Sequence, residues 1–181
     1  MEQTQETATD AAAGRRPGAA GPRPGAWRFS AAPEESSVPR TRHAVRDRLL
    51  AQGMAGERYQ ELVDDLLLIV SELVSNAVTH AAALSPQVHC ELVIDPERVR
   101  VAVLDGHPYR PRAQSNDPVR PGGRGLLLVK SVTLQAGGEC DVEPTEDGGK
   151  VIWASLPLPA PLLPAPGPAG TGDGPDGGPD C

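Results

Sequence analysis

The sequence is poor in aromatic residues, which make up 3% of its 181 residues: two Trp, two Tyr and one Phe. It also has only three cysteines, Cys90, Cys140 and Cys181. Their spacing does not match a metal site, and an odd number argues against a disulfide framework. Cys90 lies in a strand-like segment and is interpreted as a small core residue.

The sequence contains no apolar run long enough to cross a membrane and no apolar core of a signal peptide. It has no block of lysine or arginine, and its net charge is −7. These absences argue against a membrane span and against nucleic acid as a direct partner. We therefore expect a cytoplasmic protein without a direct nucleic-acid or membrane partner.

Glycine and proline are abundant, at 20 residues each, and they are concentrated at the two ends. Residues 1–26 are rich in Ala, Gly and Pro, and residues 157–181 are rich in Pro, Gly and Asp. Neither segment can bury enough apolar surface to offset its ordering entropy, so both are predicted to be disordered tails. Residues 27–156 are predicted to form one domain.

The most informative segment is Ser71-Glu-Leu-Val-Ser-Asn-Ala-Val-Thr-His-Ala81, at the end of a long apolar run. Helical periodicity separates an apolar face from a polar face that carries Glu72 and Asn76, one turn apart. A carboxylate beside a carboxamide can hold a hydroxyl and a hard cation such as Mg²⁺. On this segment alone, an ordinary amphipathic helix with a solvated polar face is equally consistent.

Features further along the chain favour a binding site. Two segments ending at Ile94 and Asp105 are separated by Asp95-Pro-Glu-Arg98, which predicts a β-hairpin. Residues 107–122 lack periodicity, and a loop of that length in a compact domain is often a functional lid. The glycine-rich Gly122-Gly-Arg-Gly-Leu126 then opens a helix.

The predicted order is a strand, two helices, two strands, the loop, a helix and two strands. This order indicates an α+β fold: a two-layer sandwich with a mixed, mainly antiparallel sheet and helices on one face. Ser36 or Ser37 is expected to cap the first helix, with Pro39 in its first turn.

These motifs resemble those of the GHKL ATP-binding fold of type II topoisomerases, heat-shock chaperones, histidine kinases and mismatch-repair ATPases. The lone-domain serine kinases that act as anti-sigma factors look most similar. Their N-box resembles Ser71-Glu-Leu-Val-Ser-Asn-Ala-Val-Thr-His80, and their glycine box resembles Gly123-Arg-Gly-Leu-Leu-Leu-Val129. The resemblance extends over residues 27–156. The N-box is fairly specific, whereas a Gly-x-Gly alone would be weak.

The resemblance implies ATP and Mg²⁺ as cofactors, with Asn76 as the metal ligand and Glu72 as the catalytic base. Asp105 would accept a hydrogen bond from the adenine amino group. The phosphates would lie against Gly123, Gly125 and the helix start that includes Leu126.

Two further roles stay open. Arg124 could touch phosphate oxygens or simply face solvent. His80 could lie near the phosphates or be an ordinary histidine at the end of its helix.

The sequence departs from the family pattern at two places. Many members have Asp-x-Gly-x-Gly, whereas this chain has Asp105-Gly-His-Pro-Tyr109. Many members also carry a threonine on the last strand near the adenine, where Val151 is expected here. The resemblance implies an antagonist protein and a sigma factor as partners and suggests a homodimer.

Three functions are weighed beside the alternative of a small α+β domain with no ligand, against which the loop length and the five motif residues argue jointly. The first is an ATP-dependent kinase that phosphorylates a serine of an antagonist protein and thereby controls a sigma factor. The second is a catalytically inactive regulator that binds nucleotide, or nothing, and works by contact alone. The third, the catalytic domain of a split histidine kinase, would need a longer helix pair around its phosphoacceptor histidine than the helix at His43 provides.

Overall fold

The computed structural model describes residues 6–9, 24–81, 86–106, 123–146 and 148–160. Within them, helices on one face of an antiparallel sheet form the two-layer α+β sandwich that the sequence predicts. The elements, in chain order, are β1 (Glu6–Thr9), β2 (Gly25–Ala31), α1 (Ser37–Ala51), α2 (Glu57–Ala81), β3 (Val88–Ile94), β4 (Arg98–Asp105), α3 (Gly123–Gln135), β5 (Glu139–Pro144) and β6 (Lys150–Pro157).

The six strands lie in the order β1-β2-β3-β4-β6-β5. Every described pairing is antiparallel, so the parallel component allowed by the predicted mixed sheet is not found among these strands. The position of β6 between β4 and β5 brings the last strand beside the strand that ends in Asp105.

The predicted hairpin between β3 and β4 is present, and its turn depends on Asp95. Oδ1 of Asp95 accepts hydrogen bonds from the backbone N–H of Glu97 (2.9 Å) and of Arg98 (2.7 Å). This arrangement is typical of aspartate in a turn, because the short side chain satisfies backbone donors that the strands leave free.

Helix α1 begins at Ser37 with Pro39 in its first turn, as expected. The expected serine cap is not formed, because the hydroxyl of Ser36 makes no capping hydrogen bond and donates instead to the Glu34 carboxylate (3.4 Å). The helix ends with backbone hydrogen bonds from Gly53 to the carbonyl of Leu50 and from Met54 to the carbonyl of Leu49, both 3.0 Å. The φ of Gly53 is +95°, which glycine adopts without a Cβ penalty. The chain can therefore turn sharply into α2.

The hydrophobic core lies between the sheet and the helices. Alternate residues of β3 and β4 supply one side of it, among them Leu92 and Val101, which are fully buried. Helix α2 supplies Leu66, Val70 and Leu73 from the other side. Cys90 is 1% exposed, and burial raises the pKa of its thiol to about 12, so the interpretation of Cys90 as a core residue is confirmed.

The structure adds detail at the predicted domain limits. Strand β1 falls inside the N-terminal segment predicted as a tail, and β2 begins at Gly25. At the other end, the backbone N–H of Leu158 donates to the carbonyl of Glu97 (2.7 Å). Nη2 of Arg58 donates to the carbonyls of Pro159 (3.0 Å) and Ala160 (2.6 Å). None of the helices described is long and apolar enough to cross a membrane.

Candidate functional site

The central segment of the sequence forms the C-terminal half of α2. Of the polar residues there, Asn76 is buried at 8% exposure and Glu72 is half-buried, whereas Ser75 and Thr79 are exposed. The hydroxyls of Ser71 and Thr79 donate to helix carbonyls four residues earlier, at 2.7 and 2.8 Å. These two hydroxyls are therefore engaged within the helix.

Glu72 lies directly against the glycine-rich start of α3. A Cβ added to Gly125 would lie 2.5 Å from Oε2 of Glu72 and 3.6 Å from its Cδ. Only a residue without a side chain leaves this carboxylate in its observed place. The structure thus brings together the helix motif at Glu72 and the glycine-rich motif at Gly125, which are far apart in the sequence.

Asn76 presents a buried polar group without a partner among the described residues. Its Nδ2 atom is shielded from solvent and makes no hydrogen bond to any of them. A buried amide left in this state costs free energy, so such groups usually mark a ligand or a function. Because the oxygen and nitrogen of an amide are assigned from their partners, either atom can face an incoming ligand.

Asp105 is the last residue of β4 and pairs with Lys150, the first residue of β6. The backbone position agrees with the predicted carboxylate at a strand end. The Asp105 side chain lies outside the described residues, as do residues 107–122, the solvent exposure of Gly123 and the side chain of His80. The predictions for the loop, Gly123 and His80 therefore remain predictions.

The remaining residues of the glycine box have different surroundings. Arg124 is exposed and has an interaction partner in the chain. Leu126 is 8% exposed and belongs to the hydrophobic core. Any contribution of Leu126 to a binding site must therefore come through its backbone N–H at the start of α3, where helix donors are free.

The last strand presents neighbouring residues to opposite faces of the sheet. Val151, which the resemblance leads us to expect near the adenine, pairs with Leu104 and is partly exposed. Lys150 pairs with Asp105 and is 1% exposed, in phase with the buried Ile152 and Ala154. Side chains alternate along a strand, so a one-residue difference in register selects the opposite face of the sheet.

Sequence reasoning did not predict the burial of Lys150. The available signal was the period-two pattern of the last strand: Lys150 occupies the phase that is otherwise filled by Ile152, Ala154 and Leu156.

Asp65 precedes Glu72 by two turns of α2 and lies near the end of α3 rather than near its start. It lines a cavity of about 470 Å³ together with Gln135, at the end of α3, and Leu158. Burial raises the pKa of the Asp65 carboxyl, and the nearby charges of Glu61 and Asp64 raise it further. Because Glu72 lies beside the start of α3 and Asp65 beside its end, these two carboxylates do not form one site.

A second cavity, of about 340 Å³, lies between α1 and α2 and is lined by Arg42, Arg46 and Asp64 among others. Neither cavity includes Glu72 or Asn76. The smaller cavity is lined by α1, α2 and the residues between them, and the larger one by α2, the end of α3 and residues 157–159.

The described residues fit a nucleotide with its magnesium ion. Asn76 supplies a buried amide without a partner among them, and Gly125 leaves backbone room beside a carboxylate. Magnesium bound to a nucleotide needs only one or two protein ligands, because phosphates and water provide the others. The part of the chain that the structure describes contains no cluster of three or more His, Cys, Asp or Glu able to hold a metal alone.

A comparison with protein families agrees with a nucleotide-binding site. Residues 29–156 match the model of the family described as Histidine kinase-like ATPase domain. No curated protein of similar sequence was found.

Among the solved structures that match this chain are three of histidine kinases. The kinase domain of the blue-light activated histidine kinase of Erythrobacter litoralis EL346 is 20% identical, over 68% of this chain and 60% of that one, with a TM-score of 0.43. The catalytic domain of histidine kinase ThkA is 15% identical, over 72% of this chain and 97% of that one, with a TM-score of 0.44. Full-length ShkA in complex with AMPPNP is 18% identical, over 73% of this chain and 32% of that one, with a TM-score of 0.46.

This chain spans 33% of a longer structure of the blue-light activated kinase. The family match itself extends over most of the chain and includes both motifs that meet at Glu72 and Gly125. The chain therefore belongs to the histidine kinase-like ATPase domain family.

Proposed function

We propose that this protein is an ATP-dependent protein kinase that phosphorylates a serine of an antagonist protein and thereby controls a sigma factor. The observation that carries the proposal is the contact of the Glu72 carboxylate with Gly125. A general base must lie within reach of the phosphates to act on a hydroxyl that attacks them. The start of α3, with its free backbone N–H groups, is where phosphates would bind.

The proposed reaction is a direct transfer. The serine oxygen of the antagonist forms a bond to the γ-phosphorus, the bond to the β,γ-bridging oxygen breaks, and ADP leaves. Glu72 accepts the proton that the serine hydroxyl loses. When bound, Mg²⁺ neutralises phosphate charge, and Asn76 would hold it through its amide oxygen.

The other residues of the site have binding roles in this proposal. Asp105 accepts a hydrogen bond from the adenine amino group, and Gly123 and Gly125 allow the backbone to approach the phosphates. Arg124 is exposed at the start of α3, so a contact with phosphate oxygens is proposed for its guanidinium group. The antagonist, the sigma factor and a homodimer are proposed from the resemblance of the two motifs.

The alternative is a regulator that binds its partners without turnover. Glu72→Gln separates the two functions, because it removes the base while it keeps the shape of the side chain against Gly125. We expect Mg²⁺-ATP and antagonist binding to persist in calorimetry, while phosphotransfer falls roughly a hundredfold or more. Wild-type protein that binds ATP but phosphorylates no serine of any candidate antagonist would favour the contact-only regulator.

Matched controls define the nucleotide site. Asn76→Ala and Asp105→Asn should each weaken ATP binding, whereas Ser75→Ala, at an exposed position beside Asn76, should not. A wild-type chain that binds no ATP in the presence of Mg²⁺ would overturn the proposal.

A further inference from the structure

The smaller cavity, of about 340 Å³, is an elongated groove on the surface between the first two helices. Its lining residues extend from Pro39 to Leu50 on α1 and from Gln60 to Leu67 on α2. On both helices they include residues at i, i+3, i+4 and i+7, which lie on one face of a helix. The groove therefore follows α1 for about 16 Å, at 1.5 Å per residue. We call it the α1–α2 groove.

The floor of the α1–α2 groove is apolar. Met54, Val63 and Leu67 line it and are buried. Leu50 lines it as well but is 42% exposed, and only two other large apolar side chains in the described part of the chain are exposed to a similar degree or more. Apolar side chains of a second molecule would gain free energy by covering this floor, because they and Leu50 would leave water together.

The two walls of the α1–α2 groove differ in charge. Arg42 and Arg46, one turn apart on α1, are exposed and form no ion pair with any described residue. On the α2 wall, Nε2 of Gln60 donates a hydrogen bond to Oδ2 of Asp64 (2.9 Å). A bound molecule with negative charge along one side would therefore turn that side towards α1 and away from Asp64.

The charge of α1 is opposite to that of the chain as a whole. Helix α1 contains four arginines and one aspartate, whereas the chain has a net charge of −7. Arg40 and Arg48 have interaction partners within the chain, so the arginines of the groove are the pair left for another molecule. A local basic surface on an acidic protein attracts an acidic partner to that surface.

The shape of the groove selects among acidic partners. Rows of residues from two helices, with an apolar floor and a charged edge, are typical of sites that bind the apolar face of an amphipathic helix. A helix of ten residues is about 15 Å long, which is close to the length of the α1 wall. Nucleic acid fits less well, because its binding depends on many basic contacts to phosphates and gains little from an apolar floor.

We propose that the α1–α2 groove binds an amphipathic helix of a partner protein. The apolar side chains of that helix contact the floor, and carboxylates one turn apart face Arg42 and Arg46. The site is a docking surface apart from the proposed kinase chemistry, because its lining residues include neither Glu72 nor Asn76. The inference therefore does not depend on the proposed function.

The test uses two synthetic peptides of about four helical turns, each held helical by a hydrocarbon staple. Both carry leucine at i, i+3 and i+7, and the flanking positions are glutamate in the acidic peptide and lysine in the basic peptide. Fluorescence anisotropy with the full chain measures their affinities. The acidic peptide should bind at least tenfold more tightly than the basic one, and its affinity should fall as salt is raised, because exposed ion pairs are screened.

Substitutions locate the binding. Arg42→Glu and Arg46→Glu should each weaken the acidic peptide several-fold, and the two together should reverse the preference in favour of the basic peptide. Their melting temperatures should stay unchanged, since both side chains are exposed. Leu50→Ala should weaken both peptides by a similar factor. Lys130→Glu, at an exposed position of α3 outside the groove, makes the same change of charge as either arginine variant and should have no effect.

Four results would overturn the inference. Wild-type protein could bind neither peptide, or it could bind both equally. Lys130→Glu could weaken the acidic peptide as much as Arg46→Glu, which would assign the attraction to the whole molecule. Finally, sedimentation could show that the wild type self-associates, that Arg42→Glu with Arg46→Glu abolishes this association, and that neither peptide competes with it. The groove would then be an interface between two copies of this chain.

Discussion

Oε2 of Glu72 occupies the space that the Cβ of any other residue at position 125 would need, with a separation of 2.5 Å. The carboxylate is the end of a flexible side chain, so it can move away without disturbing the backbone of α2. A side chain at position 125 is therefore expected to cost catalysis more than stability.

Gly125→Ala tests this relationship. Alanine should displace the carboxylate, and we expect phosphotransfer to fall about a hundredfold, since a displacement of about 1 Å can cost that much. The melting temperature should change little. Activity towards a candidate antagonist and thermal unfolding, measured on the same preparation, are the two readouts.

A double-mutant cycle identifies the contact itself. In a Glu72→Ala background the obstacle is gone, and Gly125→Ala should stabilise the helix by about 0.5–1 kcal/mol, because alanine loses less chain entropy than glycine. In the wild-type background the gain should be smaller. Equal stability changes in the two backgrounds would show that residues 72 and 125 do not interact.

Asn76→Leu should separate stability from binding. The Asn76 amide is buried and has no hydrogen-bond partner among the described residues, so an apolar side chain of similar size should leave stability equal or raise it by about 1 kcal/mol. Mg²⁺-ATP binding should fall more than tenfold, because the proposed metal ligand is lost. Denaturant unfolding without nucleotide and calorimetry with Mg²⁺-ATP measure the two effects.

Ser75→Ala provides the control for both measurements, since Ser75 directly precedes Asn76 in the same helix and is exposed. A clear loss of stability in Asn76→Leu, larger than about 1 kcal/mol, would mean that the amide is satisfied in the folded protein and is not held ready for a ligand.

The pH dependence of stability should reveal the buried thiol of Cys90. Burial raises the pKa of this thiol from 9.0 to about 12. Between pH 9.0 and about 12 the folded state therefore binds more protons than the unfolded state, so the free energy of unfolding must fall as pH rises. The contribution is complete below pH 9.0 and is lost between pH 9.0 and about 12, by roughly 1.4 kcal/mol per pH unit at most.

Cys90→Ala isolates this contribution from tyrosine and lysine, which also titrate in that range. Its unfolding free energy should decline less steeply than that of the wild type when both are measured by denaturant titration from pH 8 to 11. Parallel curves would show that the Cys90 thiol does not control the alkaline limit.

Sequence reasoning predicted the α+β sandwich because its evidence is local. The hairpin at Asp95 and the polar residues of α2 are visible in short segments with a clear period. The contact between Glu72 and Gly125 could be expected only from the resemblance, since no local rule relates residues so far apart in the chain. The burial of Lys150 depends on sheet register, and a sequence does not fix register when both faces of a strand carry partly apolar residues.

The structure also refines the expected effect of truncation. The sequence predicts that removal of residues 1–26 and 157–181 leaves the melting temperature nearly unchanged. Leu158 now provides a hydrogen bond to Glu97, Arg58 binds the carbonyls of Pro159 and Ala160, and Pro157 pairs with Arg98. A chain of residues 24–160 should therefore keep the full melting temperature, whereas residues 27–156 should melt several degrees lower, since each kcal/mol shifts a domain of this size by about 3–6 °C.

Two intermediate chains show which end is responsible. The chain of residues 24–156 lacks only the C-terminal contacts and should account for most of the decrease, because residues 157–160 provide three hydrogen bonds and the pairing of Pro157 with Arg98. Residues 27–160 remove only the first two residues of β2 and should melt close to 24–160. Arg58→Ala in the 24–160 chain should reproduce part of the C-terminal effect, because it deletes the donor to both carbonyls. If residues 24–160 themselves melt well below the full chain, β1 or a segment beyond residue 160 stabilises the core, and the domain is larger than residues 24–160.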